Sequence, residues 1–163
     1  MVYQIDNFLI KCNTRLSVII FVFAIYIFSI IYNITLKLFS INYALDNFRF
    51  YDSPIELIFF AIILAPLLET FLFQFLIFKI LLNKNIGHYF IIILSAFIFS
   101  LVHYPRNNNI FEAVNIFFVG LILACAFYIY SIKQASAFWH VVLIHALLNA
   151  ISILAYYVLT TFF

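Results

Sequence analysis

Six side chains in this sequence are polar where their surroundings are not: Glu69, Thr70, Gln74, His103, His145 and Asn149. Glu69 sits in the middle of the apolar stretch 55–82. An acidic side chain at a bilayer centre costs about 2.5–3.5 kcal/mol, so such residues are rare and face the protein interior. Thr70 and Gln74 are four residues apart, roughly 40° around a helix, and with Glu69 they form one polar wedge. His145 and Asn149 share a face of another apolar stretch, one turn apart, and His103 closes a third. A carboxylate, two imidazoles and an amide are groups that move protons, donate to an oxyanion or ligate a metal. In lipid each must find partners, and the least costly arrangement gathers them in one interior cavity.

The elements that must position them are membrane helices. Of 163 residues, 68% are hydrophobic and 9% charged, a composition no soluble domain of this size has. The expected fold is all-α, a polytopic bundle of about five spans at 16–39, 55–82, 86–104, 110–130 and 135–163, with the site inside. Ser53-Pro54 reads as a helix start. Pro66 is expected to kink or break its helix one turn before Glu69. The run 105–109 (Pro-Arg-Asn-Asn-Asn) reads as a loop. The last span exceeds the ~20 residues a bilayer needs and must tilt, kink or protrude. Residues 1–53 are expected to form an N-terminal segment with the first helix and a loop, and 54–163 a core of about four helices.

Charge and glycine content exclude other classes. A net charge of +2 does not point to nucleic acid. Gly87 and Gly120 are the only glycines, so there is no phosphate-binding loop and no repeated Gly-x-x-x-Gly packing. Cys12 and Cys125 are not expected to pair. The first apolar run is long enough to be a retained span. Lys11, Arg15, Lys79, Lys84 and Lys133 fall on one side of a five-span topology, and Lys37, Arg49 and Arg106 on the other, which favours a cytoplasmic N-terminus.

The order Glu-Thr-x-x-x-Gln, Phe-x-x-x-His, His-x-x-x-Asn, with Pro66 three residues before Glu69, resembles the three motifs of the CAAX-protease and bacteriocin-processing (CPBP, or Abi) membrane proteins, related to the Rce1-like prenyl-protein endopeptidases. The resemblance spans roughly 55–152 and implies a metal-independent intramembrane glutamyl endopeptidase. By resemblance, Glu69 activates water, His103 holds it, and His145 with Asn149 stabilises the oxyanion, with Thr70 and Gln74 in support. Thr70 and Gln74 stand where the commoner motif has Glu and Arg, a matched loss of acid and base. The resemblance further implies a multi-pass protein of a bacterial-type cell membrane. Its partners would be membrane lipid and a peptide or protein substrate, prenylated or a leader peptide, with no nucleic acid and no cofactor.

Other readings compete. Glu69 as an interhelical clasp, His103 as an interfacial helix end and His145 with Asn149 as a hydrogen-bonded pair are the structural alternatives. Glu69, His103 and His145 could instead bind zinc with one position open. A membrane immunity, scaffold or binding protein could use the same cavity without cutting. Gly-x-Ser-x-Gly and His-Glu-x-x-His are absent. A transporter would show paired broken helices, and only Pro66 offers such a break. His88 and His140 read as structural or interfacial, and Glu112 as interfacial or facing the cavity.

Overall fold

The computed structural model describes residues 8–39, 41, 53–107 and 109–162. After a helical turn at residues 8–11, five longer helices follow one another among the described residues: α1 Thr14–Leu38, α2 Pro54–Leu82, α3 His88–Asn107, α4 Ile110–Ile132 and α5 Ala137–Phe162. No strand occurs among the described residues. Their starts follow from local chemistry. Asn13 Oδ1 accepts from the Arg15 N–H, and Ser53 Oγ from the Glu56 N–H ahead of Pro54. Asn109 Oδ1 accepts from the N–H groups of Phe111 and Glu112. Each cap satisfies donors that a helix start leaves unpaired. The α2–α3 and α4–α5 turns each place a residue at positive φ, Asn85 at 55° and Gln134 at 54°.

Four helices, α1, α2, α4 and α5, are long and apolar enough to cross a membrane, and α3 has a shorter apolar stretch, His88–Tyr104. Only 22–33% of the most apolar window of each long span is buried in the bundle. The rest, including Phe23, Ile27, Ile30, Ile31 and Ile34, faces outward and needs an apolar solvent.

One of these expectations narrows and another changes. Pro66 does not break α2, which runs through it with π-type segments at Ile58–Leu64 and Thr70–Leu76. The N–H of Ala65 bonds to the Phe60 carbonyl five residues back, and this wider register absorbs the missing Pro66 donor. Residues 105–107 are not loop, because α3 continues through Pro105 to Asn107. Glu112 is 4% exposed, in the first turn of α4, where the helix dipole favours an anion. The expected N-terminal loop at 42–52 lies outside the described residues.

Close packing centres on α3 and α4. A Cβ on Gly120 would lie 2.9 Å from Phe99 Cδ1 and 3.3 Å from Ala96 Cα, so the two backbones meet at this glycine. Helix α1 leans on α4 and α5 through polar ties along its length. Tyr26 donates to the Leu148 carbonyl at 2.7 Å and lies 2.9 Å from Ser152 Oγ. Tyr32 donates to the Phe111 carbonyl, and Ser29 to Asn115 Oδ1. Ser17 Oγ and Tyr130 OH are 3.0 Å apart in full burial, with Lys133 Nζ bonded to the Cys12 carbonyl beside them. Cys12 and Cys125 are not joined in a disulfide.

Candidate active site

Three helices bring one carboxylate and two imidazoles together. Glu69 ends the short α-turn Ala65–Glu69 between the two π segments of α2. Its Oε1 lies 3.6 Å from His103 Nε2 on α3, and its Oε2 lies 3.6 Å from His145 Nε2 on α5. Both separations exceed ordinary N–H···O distances, yet one oxygen atom can sit ~2.8 Å from both members of either pair. Side-chain exposure is 23% for Glu69, 20% for His103 and 7% for His145, so the carboxylate is reachable and His145 forms the inner wall. His103 is not the last residue of its helix, since α3 carries on past it for another turn.

The histidines are held differently. His103 Nδ1 lies 2.7 Å from the Phe99 carbonyl, which can only accept, so Nδ1 carries the proton. When the ring is neutral, the nitrogen it turns toward Glu69 is an unprotonated Nε2. His145 Nδ1 is buried without a hydrogen-bond partner. Phe99 joins the two: its ring centroid is 4.6 Å from that of His103 and 5.9 Å from that of His145. It also meets Phe73 edge-on at 5.7 Å.

Asn149 is placed otherwise. Its Nδ2 donates to the Ala61 carbonyl at 2.7 Å, inside the first π segment. Thr70 and Gln74 lie in the second π segment, fully buried, and Thr70 Oγ1 and both Gln74 amide atoms have no hydrogen-bond partner. Buried polar atoms without partners are uncommon, and here four of them belong to Thr70, Gln74 and His145, on or beside the elements that carry the site. Among the described residues no group of three His, Cys, Asp or Glu is placed to hold a metal ion. His88 stacks on Tyr128 and His140 on Tyr130, both outside this cluster.

Sequence reasoning did not assign roles to Phe99, Gly120 or Ala61. Phe99 stands four residues before His103, one helical turn, and that spacing is the signal of a ring and carbonyl beneath the imidazole. Ala61 carries no signal of its own, since its carbonyl matters only through Pro66 five residues on.

The fold and the cluster define an all-helical integral membrane protein with titratable groups converging inside its bundle. The model of the family described as type II CAAX prenyl endopeptidase Rce1-like matches residues 52–151, well over half the chain. The chain belongs to this family, whose members are membrane proteases, and a peptide or protein is therefore the class of substrate. No curated protein and no solved structure matches it.

Proposed function

We propose that this chain is a glutamate-dependent intramembrane endopeptidase, and that Glu69, His103, His145 and Asn149 carry the reaction. The observation that supports this most is the placement of the Glu69 carboxylate between two imidazole Nε2 atoms, 3.6 Å from each. In this reading a water molecule sits between Glu69 and His103. One of its hydrogens points to the carboxylate and the other to the bare His103 Nε2, whose tautomer the Phe99 carbonyl imposes. Glu69 takes the proton as the water oxygen bonds to the scissile carbonyl carbon. The carboxylic acid then gives that proton to the departing amide nitrogen as the carbon–nitrogen bond breaks.

His145 serves the oxyanion. Its Nδ1 has no partner, and a buried bare lone pair is less costly than a buried unpaired N–H. The hydrogen therefore belongs on Nε2, facing the site, where it can donate to the developing charge. Asn149 anchors α5 to α2 through one amide hydrogen, and its second hydrogen is available to the same oxyanion. Thr70 and Gln74, buried on α2 beside and one turn beyond Glu69, are assigned a supporting role in this reading. The working unit is residues 54–163 together with α1, whose Tyr26 bonds at Leu148, next to Asn149. No cofactor takes part. The substrate is a prenylated tail, a leader peptide or a membrane-protein segment, cut near the membrane boundary.

The test compares wild type and Glu69→Gln expressed in the same membranes, with new peptide termini mapped by mass spectrometry. A farnesylated peptide serves as a direct probe. Cleavage products that vanish with Glu69→Gln, and persist in a zinc chelator, are the expected result. Unchanged termini would instead leave a scaffold or binding module on this fold, and chelator loss restored by zinc would point to the Glu69, His103 and His145 zinc site.

A further inference from the structure

A cavity lies at the end of the bundle where α1 and α5 begin, away from the Glu69 cluster. It has a volume of about 410 Å³ and is lined by Thr14, Arg15, Val18, Ser136, His140 and Leu143. His145 is eight residues into α5, about 12 Å along the axis from its start, whereas His140 is in the first turn. The lining is layered. Arg15, Thr14, Ser136 and His140 supply polar groups, and Val18 and Leu143, each one turn or less further into its span, supply apolar ones. The Arg15 guanidinium makes no hydrogen bond or ion pair with any described residue. His140 is held in place by two contacts, Nδ1 to the Ser136 carbonyl at 2.8 Å and its ring stacked 4.6 Å from that of Tyr130.

The charge distribution says what such a groove would take. Among cations with described side chains, Lys11, Arg15, Lys79, Lys84 and Lys133 all lie at this end, and only Lys37 lies at the other. The described carboxylates are elsewhere: Glu56 and Glu112 begin α2 and α4 at the opposite end, and Glu69 is inside. Lys133 is committed to the Cys12 carbonyl and Lys79 lies over the Phe75 ring, and of the remaining Lys11, Arg15 and Lys84 it is Arg15 that lines the groove. A cavity between two membrane spans, with a cation at its rim and aliphatic side chains below, matches a phosphate headgroup followed by an acyl chain.

We propose that the α1–α5 groove seats an anionic phospholipid, with its phosphate on Arg15, His140 and Thr14 and the start of an acyl chain on Val18 and Leu143. The site stands apart from the peptidase reading and does not depend on it.

The test is native mass spectrometry of the full chain released from detergent micelles, titrated with phosphatidylglycerol or phosphatidylcholine, for wild type, Arg15→Gln, His140→Gln and Lys84→Gln. Lys84 is the control, an exposed cation at the same end but outside the groove. The first phosphatidylglycerol is expected to bind wild type more tightly than phosphatidylcholine. Arg15→Gln should weaken it by more than the roughly fivefold that one interfacial charge contributes by itself, and Lys84→Gln by no more than that. Inorganic phosphate in the millimolar range should not displace it. Equal losses for Arg15→Gln and Lys84→Gln would overturn the site in favour of diffuse attraction. Displacement by inorganic phosphate would overturn the lipid and leave a free-anion site.

Discussion

The side-chain amide of Asn149 donates to the main-chain carbonyl of Ala61 across 2.7 Å, and this bond is the counterpart of Pro66. Where α2 adopts its wider register, Ala65 bonds to Phe60, so the donor due to Ala61 is residue 66. Proline has no N–H to offer. The carbonyl is left for another helix, and Asn149 on α5 supplies the donor one turn beyond His145. The proline three residues before Glu69 and the amide four residues after His145 thus act as one joint between α2 and α5.

That joint predicts a coupling. Asn149→Leu leaves the Ala61 carbonyl unpaired and should cost about 1–3 kcal/mol of stability. Pro66→Ala restores an N–H within α2, so the same Asn149→Leu substitution should cost distinctly less in that background. A double-mutant cycle by denaturation in detergent micelles measures the difference. Additive losses would show that the two residues act independently.

The opposite tautomers proposed for His103 and His145 predict different losses. His145→Ala removes an oxyanion donor and should lower kcat by about 10²–10³ with KM little changed. His103→Gln keeps a side-chain acceptor near Glu69 and should retain more activity than His103→Leu, which removes it. Steady-state cleavage of the peptide found by terminus mapping gives both values. Equal activity of His103→Gln and His103→Leu would rule out a water-holding role.

Gly120 should matter to a site it does not touch. A Cβ there meets Phe99 Cδ1 at 2.9 Å and the Ala96 backbone at 3.3 Å. Either the ring or the helix must yield, and Phe99 supplies both the carbonyl under His103 and the ring between the histidines. Gly120→Ala is expected to cost about 1–3 kcal/mol through overpacking and to lower kcat. Combined with Phe99→Leu, the loss should be less than the sum of the two single losses. A fully additive pair would place the effect of Gly120 elsewhere.

Much of this protein was legible along the chain. Apolar runs of spanning length specify membrane helices, because an unpaired backbone cannot sit in lipid. Glu69, His103 and His145 stand out on the same ground, since a titratable group in such a run is too costly to be casual. Cost explains why these residues must find partners, but not which partners they find. Asn149 had the same signature, yet its bond goes to a backbone carbonyl that no side-chain pattern marks. Pro66 announced a disturbance in α2, and only the packed helices decided that a change of register, not a break, would absorb it. Pro105 announced a loop, but α3 continues through it to Asn107. Glu112 looked like the edge of a span and is buried there, because burial is a property of neighbouring helices. Spacing along one helix is local and readable; the 3.6 Å contacts of Glu69 with α3 and α5 depend on how close the helices come, which is set by small contacts such as Gly120 on Phe99.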